Sequence, residues 1–218
     1  LVLVAGSADS LVEVTTEDTV LSTTEQTYAS WNLDSSCNRG FHRTHWSNPN
    51  LLLAARGLAP SRLRFGGSGN DNLVYGLSEG SPECAAVPPS PGPGEACSYS
   101  TPGCLNASTW EALYAFAQGA EAEFLFGVSF GLDEACEEGA DYEWNSTNAA
   151  SLLAYLSSLG QRLWGFELGN EVNNNEQACS LTAKQQAAAF TKFATMTKGA
   201  VRLVGPDTGY QDWQHWLS

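Results

Sequence analysis

The chain has 218 residues, of which 43% are hydrophobic and 16% are charged, so it is long and apolar enough to bury the core of a globular domain. Its formal net charge of −14 implies an acidic surface that repels phosphate backbones and anionic lipid, which argues against nucleic-acid and membrane-surface partners. The apolar runs are too short to span a bilayer, so no transmembrane segment is predicted.

Residues 1–26 are predicted to form a segment separate from the domain at 27–218. The opening LVLVAGSA is similar to the end of a signal peptide, although it also suits an ordinary first strand. The stretch LVEVTTEDTVLS that follows alternates apolar and polar residues, which indicates a strand of an accessory β-sheet.

Strand-like and helix-like segments alternate after residue 26. Strands are predicted at 27–34, 62–67, 123–129, 163–170 and 201–204. Helices are predicted at 48–57, from Asn106 or Ser108 to about 118, at 145–159, at 182–198 and from about 212. This alternation is typical of an α/β fold with a parallel sheet, and no glycine-rich nucleotide-binding motif follows the first strand. Because a closed barrel needs more βα units than these five, the predicted fold is an incomplete (β/α)₈ TIM barrel.

Cysteines and sequons indicate an oxidising compartment. Three of the six cysteines, Cys84, Cys97 and Cys104, lie in or beside a Pro/Gly/Ser-rich loop at 78–103, which predicts a disulfide-stapled loop of undetermined pairing. Glycosylation sequons begin at Asn106 and Asn145. Secretion to the extracellular space or cell wall, or delivery to a lysosome or vacuole, is therefore predicted.

The densest polar cluster, FELGNEVN at 166–173, lies at the end of the fourth predicted strand, where parallel α/β folds place their chemistry. Strand alternation puts Glu167, Gly169 and Glu171 on one face, with Glu171 at the rim and Glu167 one layer below. A buried carboxylate needs a nearby cation, and Arg64 on the second strand is the predicted partner of Glu167.

A rim glutamate beside an amide suits glycoside hydrolysis. That reaction needs a carboxyl group that stays protonated and donates to the departing oxygen, and Asn170 can bond the neighbouring sugar hydroxyl. A plainer interpretation is that Gly169-Asn170-Glu171 only ends a strand and caps the next helix.

The sequence around this motif resembles family 79 of the clan A glycoside hydrolases, the heparanase-type β-glucuronidases. ELGNE resembles the clan's acid/base motif. Further similar stretches occur in the same order: AARGLAPSRLRFGGSGND (54–71), CLNASTWEALYAFA (104–117), FLFGVSFGL (124–132), WNSTNAASLLAYLSSLG (144–160) and RLVGPDTG (202–209).

The resemblance implies a retaining hydrolase that cleaves β-linked glucuronic acid. Because acid/base glycoside chemistry requires no cofactor, no metal or other cofactor is predicted. It implies that Glu171 is the general acid/base, with Asn170 beside it. It further implies that Asp34 and Ser68 contact the substrate and that Gly67 allows the backbone to approach the glycan.

Two departures from the family pattern matter. Val172 stands where the family has proline. The family's nucleophile is a glutamate on the seventh strand, whereas this sequence reaches about the fifth. The chain alone is therefore predicted to be inactive unless a remaining C-terminal portion supplies that residue. The alternatives are an inactive carbohydrate-binding homologue and a clan A hydrolase of different sugar specificity.

The predicted substrate is a glycan that carries glucuronate but little other charge. The loop at 78–103 contains no Lys or Arg, and the whole chain has 10 basic against 24 acidic residues. Long-range repulsion should slow the approach of a polysulfated chain.

Overall fold

A computed structural model describes residues 20, 22–35, 44–78, 84, 103–131, 143–173 and 181–209. The predicted signal-like start, most of the accessory strand, the helix from about 212 and most of the loop at 78–103 lie outside these residues. The domain boundary at residue 27 therefore stays a prediction.

Across the described segments, the main sheet has five parallel strands in the order β1-β2-β5-β6-β7. Their bounds are Ser30–Asp34 (β1), Ser61–Gly66 (β2), Ala122–Val128 (β5), Gly165–Leu168 (β6) and Arg202–Val204 (β7). The spatial order of these strands follows their order in the sequence. It never reverses, as the order of a doubly wound sheet does. The fold is thus α/β with a parallel sheet, compatible with part of a TIM barrel.

Among the described residues, four α-helices connect or follow these strands: Pro49–Arg56 (α1), Ala107–Gly119 (α2), Thr147–Leu159 (α3) and Ala183–Thr197 (α4). Their ends follow local chemistry. Asn48 caps α1 through its side chain, with Pro49 in the first turn, and Asn106, the first of the two predicted caps, accepts from the amide of Thr109 at the start of α2. Thr182 and Gln185 form a capping box on α4.

Aromatic side chains fill the space between the helices and one face of the sheet. Trp110 of α2 packs edge-on against Phe126 of β5 with ring centroids 5.0 Å apart. Phe193 of α4 packs against Phe166 of β6 at 5.7 Å. Because strand side chains alternate, Glu167 next to Phe166 points to the opposite face, which is the polar face of the sheet.

Two predicted details of the strands are wrong. The first strand begins at Ser30 rather than residue 27, because Gln26–Tyr28 form a 3₁₀ turn. The strand predicted at 163–170 is only Gly165–Leu168, since Gly169 turns the chain into a left-handed conformation with φ 73°. Strand alternation therefore does not extend to Glu171.

A second, two-stranded sheet was not predicted. β3 (Leu73–Gly76) and β4 (Gly103–Asn106) pair in parallel, one on each side of the long loop. The side chain of Asn148 accepts from the amide of Tyr75 at 2.9 Å and donates to the carbonyl of Leu73 at 2.6 Å, which fixes β3 to α3. These short strands carry too few residues to show a clear period in the sequence.

A disulfide joins Cys84 to Cys104 on β4. It agrees with the prediction of a disulfide in or beside the loop at 78–103, for which no pairing was predicted. Within the described ranges, none of the helices is long and apolar enough to cross a membrane.

Candidate active site

Arg64 organises the polar face of the main sheet. Its Nε donates to Oε2 of Glu167 at 2.6 Å, which confirms the predicted partnership. Nη1 donates to Oδ1 of Asn32 on β1 at 3.1 Å, and Nη2 donates to Oδ1 of Asn170 at 2.9 Å and Oδ2 of Asp207 at 2.7 Å. One guanidinium thus connects β1, β2, β6 and the segment after β7.

The carboxyl groups of Glu167 and Asp207 both pair with Arg64, and the pKa of each is raised. Burial raises the pKa of the Glu167 carboxyl; the charge of Arg64 opposes this effect and that of Asp207 adds to it. Burial also raises the pKa of the Asp207 carboxyl. The positive charge of Arg64 lowers that pKa, and the negative charge of Glu171 raises it further. One cation is therefore shared among more carboxylates than it can neutralise.

Glu171 lies in the turn that follows β6, not on the strand itself. Its φ is 49°, its side chain is partly buried, and its charge acts on Asp207. Gly169 permits this turn, because a Cβ there would lie 2.5 Å from Cγ1 of Val172 and 2.9 Å from Cδ2 of Phe130. Val172, at the position where the resemblance implies proline, is buried against Gly169.

Asn170 is held from three directions. Its Oδ1 accepts from Arg64, its Nδ2 donates to Oγ of Ser68 at 3.1 Å, and its backbone amide donates to both carboxyl oxygens of Asp71 at 3.0 and 3.1 Å. The predicted site residues Asn170 and Ser68 are thus in direct contact. The side chain of Asn170 has little freedom to rotate.

Asp34 and Gly67 are also neighbours. Gly67 follows β2 with φ 111°, and a Cβ at this position would collide with the Asp34 carboxylate. Asp34 ends β1 and is exposed. Glycine is required here both for its backbone conformation and for the space that the carboxylate occupies.

The predicted binding residues and the predicted acid/base therefore meet at one edge of the main sheet, the carboxyl ends of its parallel strands. Asp34 follows β1, Ser68 follows β2, and Asn170 and Glu171 follow β6. In the part of the chain that the structure describes, no group of three or more His, Cys, Asp or Glu side chains is arranged to hold a metal ion.

The sequence matches the family model described as glycosyl hydrolase family 79, N-terminal domain, over residues 3–205. The chain belongs to glycosyl hydrolase family 79. The resemblance read from ELGNE and the collinear stretches around it is thereby confirmed.

The proteins to which this chain is similar include heparanases of animals and heparanase-like proteins of a plant. Heparanase of Mus musculus is 29% identical over 203 residues, which cover 76% of this chain and 37% of that protein. Heparanase of Rattus norvegicus is 26% identical over 203 residues, with 76% and 37% covered. Heparanase-like protein 3 of Arabidopsis thaliana is 25% identical over 162 residues, with 73% and 30% covered. The chain spans about a third of the length of these relatives.

The structure adds three residues to the site to which the sequence motifs assigned no role: Asn32, Asp71 and Asp207. Asp207 follows a predicted strand, and Asn32 lies two residues before Asp34 on the same strand face, so both positions carried a signal. Asp71 ends the family-like stretch at 54–71, but nothing in that stretch indicated its contact with Asn170, because Asp71 belongs to a 3₁₀ turn (Ser68–Asn72) whose path the sequence did not indicate.

The two sequon residues of this family 79 chain are exposed at helix starts. Asn106 and Asn145 accept hydrogen bonds from the backbone amides of Thr109 and Thr147 through their side-chain oxygens. Their modification stays a prediction.

Proposed function

We propose that this chain is the part of a retaining glycoside hydrolase that carries the general acid/base, Glu171. The observation that supports this most strongly is the placement of Glu171 beside Asn170 and Asp207 at the carboxyl ends of the parallel strands. Membership of family 79 and the similarity to heparanases support the same reaction class.

In this proposal Glu171 acts twice. Its carboxyl group first donates a proton to the departing glycosidic oxygen while a second carboxylate attacks the anomeric carbon. Its carboxylate then removes a proton from the water that releases the sugar from that covalent intermediate. Asn170, Ser68 and Asp34 bind sugar hydroxyls, and Gly67 lets the chain approach the glycan.

The nucleophile is proposed to lie in a part of the protein outside this chain. Retaining enzymes keep their two carboxyl groups about 5 Å apart. Asp207 and Glu167 are unsuited to the role, since both are engaged by Arg64. Further βα units would close the parallel sheet into a (β/α)₈ barrel and bring a glutamate to face Glu171.

The proposed substrate is a β-linked glucuronide of a weakly charged glycan. The relatives named heparanase support an acidic sugar, whereas the net charge of −14 opposes a polysulfated chain. Retention on a heparin column beyond physiological salt would contradict this choice of substrate.

We further propose that the protein is exported through an oxidising compartment. The disulfide between Cys84 and Cys104 supports this, because such bonds persist where thiols are not kept reduced. Exposed Asn106 and Asn145 would carry glycans, so enzymatic deglycosylation of the native protein should increase its mobility in gel electrophoresis. An unchanged mobility would contradict their modification.

The test of function is hydrolysis of a chromogenic β-glucuronide by this chain and by the product of the complete open reading frame. Activity is expected only for the complete product, and Glu171→Gln should lower it by at least about a hundredfold, the usual contribution of a general acid. Activity of the chain alone would contradict the external nucleophile. Glycan binding without turnover in the complete product would favour an inactive carbohydrate-binding homologue, the reading to which Val172 also points.

A further inference from the structure

Asp71 is a buried carboxyl group that the proposed reaction does not use. Its side chain has 0% exposure, and both of its oxygens accept from the backbone amide of Asn170, at 3.0 and 3.1 Å. Burial raises the pKa of Asp71 well above its ordinary value, against the opposing effect of the Asn170 amide. A buried group of this kind is costly, so its contact with Asn170 calls for a specific role.

The backbone of Asp71 is fixed independently of its side chain. Its carbonyl oxygen accepts from Oγ of Ser129 and from the amide of Gly131, both at 2.7 Å. These residues follow β5, which is the neighbour of β6 in the sheet. Asp71 therefore links the residues after β5, through its backbone carbonyl, to the peptide between Gly169 and Asn170, through its carboxyl group.

The orientation of that peptide determines the position of the Glu171 backbone, which follows it directly. Gly169 and Glu171 both have positive φ angles, of 73° and 49°. A positive φ is uncommon for a residue with a side chain, so the conformation of Glu171 needs support from its surroundings. The hydrogen bond from the Asn170 amide to Asp71 fixes the backbone between them. The side chain of Asn170 is fixed separately by Arg64 and Ser68.

We propose that Asp71 is a positioning residue that holds the turn after β6 and so keeps the carboxyl group of Glu171 within reach of the departing oxygen. This inference rests on the proposed role of Glu171. Loss of the contact should move Glu171 without removing it. A displacement of about 1 Å at a reacting group can lower a rate by as much as a hundredfold.

Leaving-group dependence separates positioning from simple loss of folded protein. A dinitrophenyl β-glucuronide departs with little help from an acid, whereas a phenyl β-glucuronide needs the proton. We would measure kcat/KM of the complete protein on both substrates, since this ratio reports the step in which the leaving group departs. Less folded enzyme would lower both values equally.

Asp71→Ala is expected to lower kcat/KM about tenfold or more on the phenyl substrate and less than about threefold on the dinitrophenyl substrate. Asp71→Asn keeps one acceptor oxygen for the Asn170 amide, so it should recover most of the kcat/KM on the phenyl substrate that Asp71→Ala loses. If Asp71→Ala does not fold, Asp71→Ser serves in its place, because its hydroxyl is too short to reach the Asn170 amide. Gln161→Ala is the control: it removes the side-chain oxygen that accepts from Nε1 of the buried Trp110 at 2.7 Å, before β6 rather than after it, and should not alter the ratio of the kcat/KM values on the two substrates.

Equal losses on both substrates, or no loss, for Asp71→Ala would overturn the positioning role if Glu171→Gln shows the expected difference between the substrates. A Glu171→Gln enzyme without that difference would instead overturn the proposed function, and with it the role of Asp71.

Discussion

At the scale of single residues, Arg64 illustrates how one cation makes several buried polar groups tolerable. Glu167 is 6% exposed and Asp207 is partly buried, and both would be costly without a positive charge nearby. The same guanidinium holds Asn32 and Asn170, so it combines a stabilising role with alignment of the site.

Arg64→Met is expected to reduce the free energy of unfolding by about 3 kcal/mol, because the substitution leaves Glu167 and Asp207 without their cation. Chemical denaturation measures this loss. Arg62→Met is the matched control on the same strand. Arg62 pairs with the more exposed Glu25 and Glu123, so its loss should cost clearly less. Equal costs for the two variants would contradict the central position assigned to Arg64.

The partnership of Arg64 with Glu167 could be predicted from the sequence, since both residues lie on strands whose alternation was readable. The role of Asp71 could not. It depends on a 3₁₀ turn that folds back toward β6, and such a turn has no hydrophobic period to reveal it. Asp207 lies between these cases: its strand was predicted, but its contact with Arg64 depends on the turn after β7.

At the scale of elements, β6 and the turn after it decide where Glu171 lies. The sequence indicated the strand correctly but extended it too far, since a strand period does not register the positive φ at Gly169. The helix starts were predictable because their capping residues are local signals, as at Asn48 and Thr182. The pairing of β3 with β4 joins segments on either side of a long loop, and no local signal specifies it.

Two glycines with similar backbones test the importance of this turn. Gly160 ends α3 with φ 64° and open space around it, so Gly160→Ala should cost about 1 kcal/mol and leave activity intact. Gly169 has φ 73° but is packed against Val172 and Phe130. Gly169→Ala should therefore cost about 3 kcal/mol once overpacking is included, and it should abolish activity of the complete protein. Thermal unfolding and a β-glucuronide assay would show the difference; equal effects would contradict the packing argument.

At the scale of the whole molecule, buried carboxyl groups should make stability depend on pH. Asp71, Glu167 and Asp207 all have raised pKa values in the folded state. Each therefore binds its proton more tightly when folded than when unfolded. The resulting stabilisation is complete below the unfolded pKa of about 4 and is lost as the pH rises through the folded pKa.

The melting temperature should consequently fall as the pH is raised from about 4 toward neutrality. Repulsion within a chain of net charge −14 acts in the same direction, so the contribution of one group must be isolated. Asp71→Asn removes one such group and should make the fall shallower, as measured by calorimetry across this range. A slope that Asp71→Asn leaves unchanged would contradict the raised pKa of Asp71.

The parallel sheet and its order could be predicted at this scale, because the βα alternation persists along the sequence and adjacent strands pair in turn. The composition also indicated an acidic surface. What the sequence could not provide is the set of distances between side chains from different strands, which depends on how the sheet twists and on where each strand ends.

The most direct test of the central claim is the product that Glu171→Ala forms from an activated β-glucuronide in the presence of azide. Without its general acid/base, the enzyme hydrolyses the covalent intermediate only slowly, because no base activates the water. Azide is already an anion and attacks the intermediate without a base. Magnetic resonance of the complete protein's product should then show the β-glucuronosyl azide, with activity restored. Formation of the α-azide would identify Glu171 as the nucleophile instead, and no azide product at all would contradict its role in the reaction.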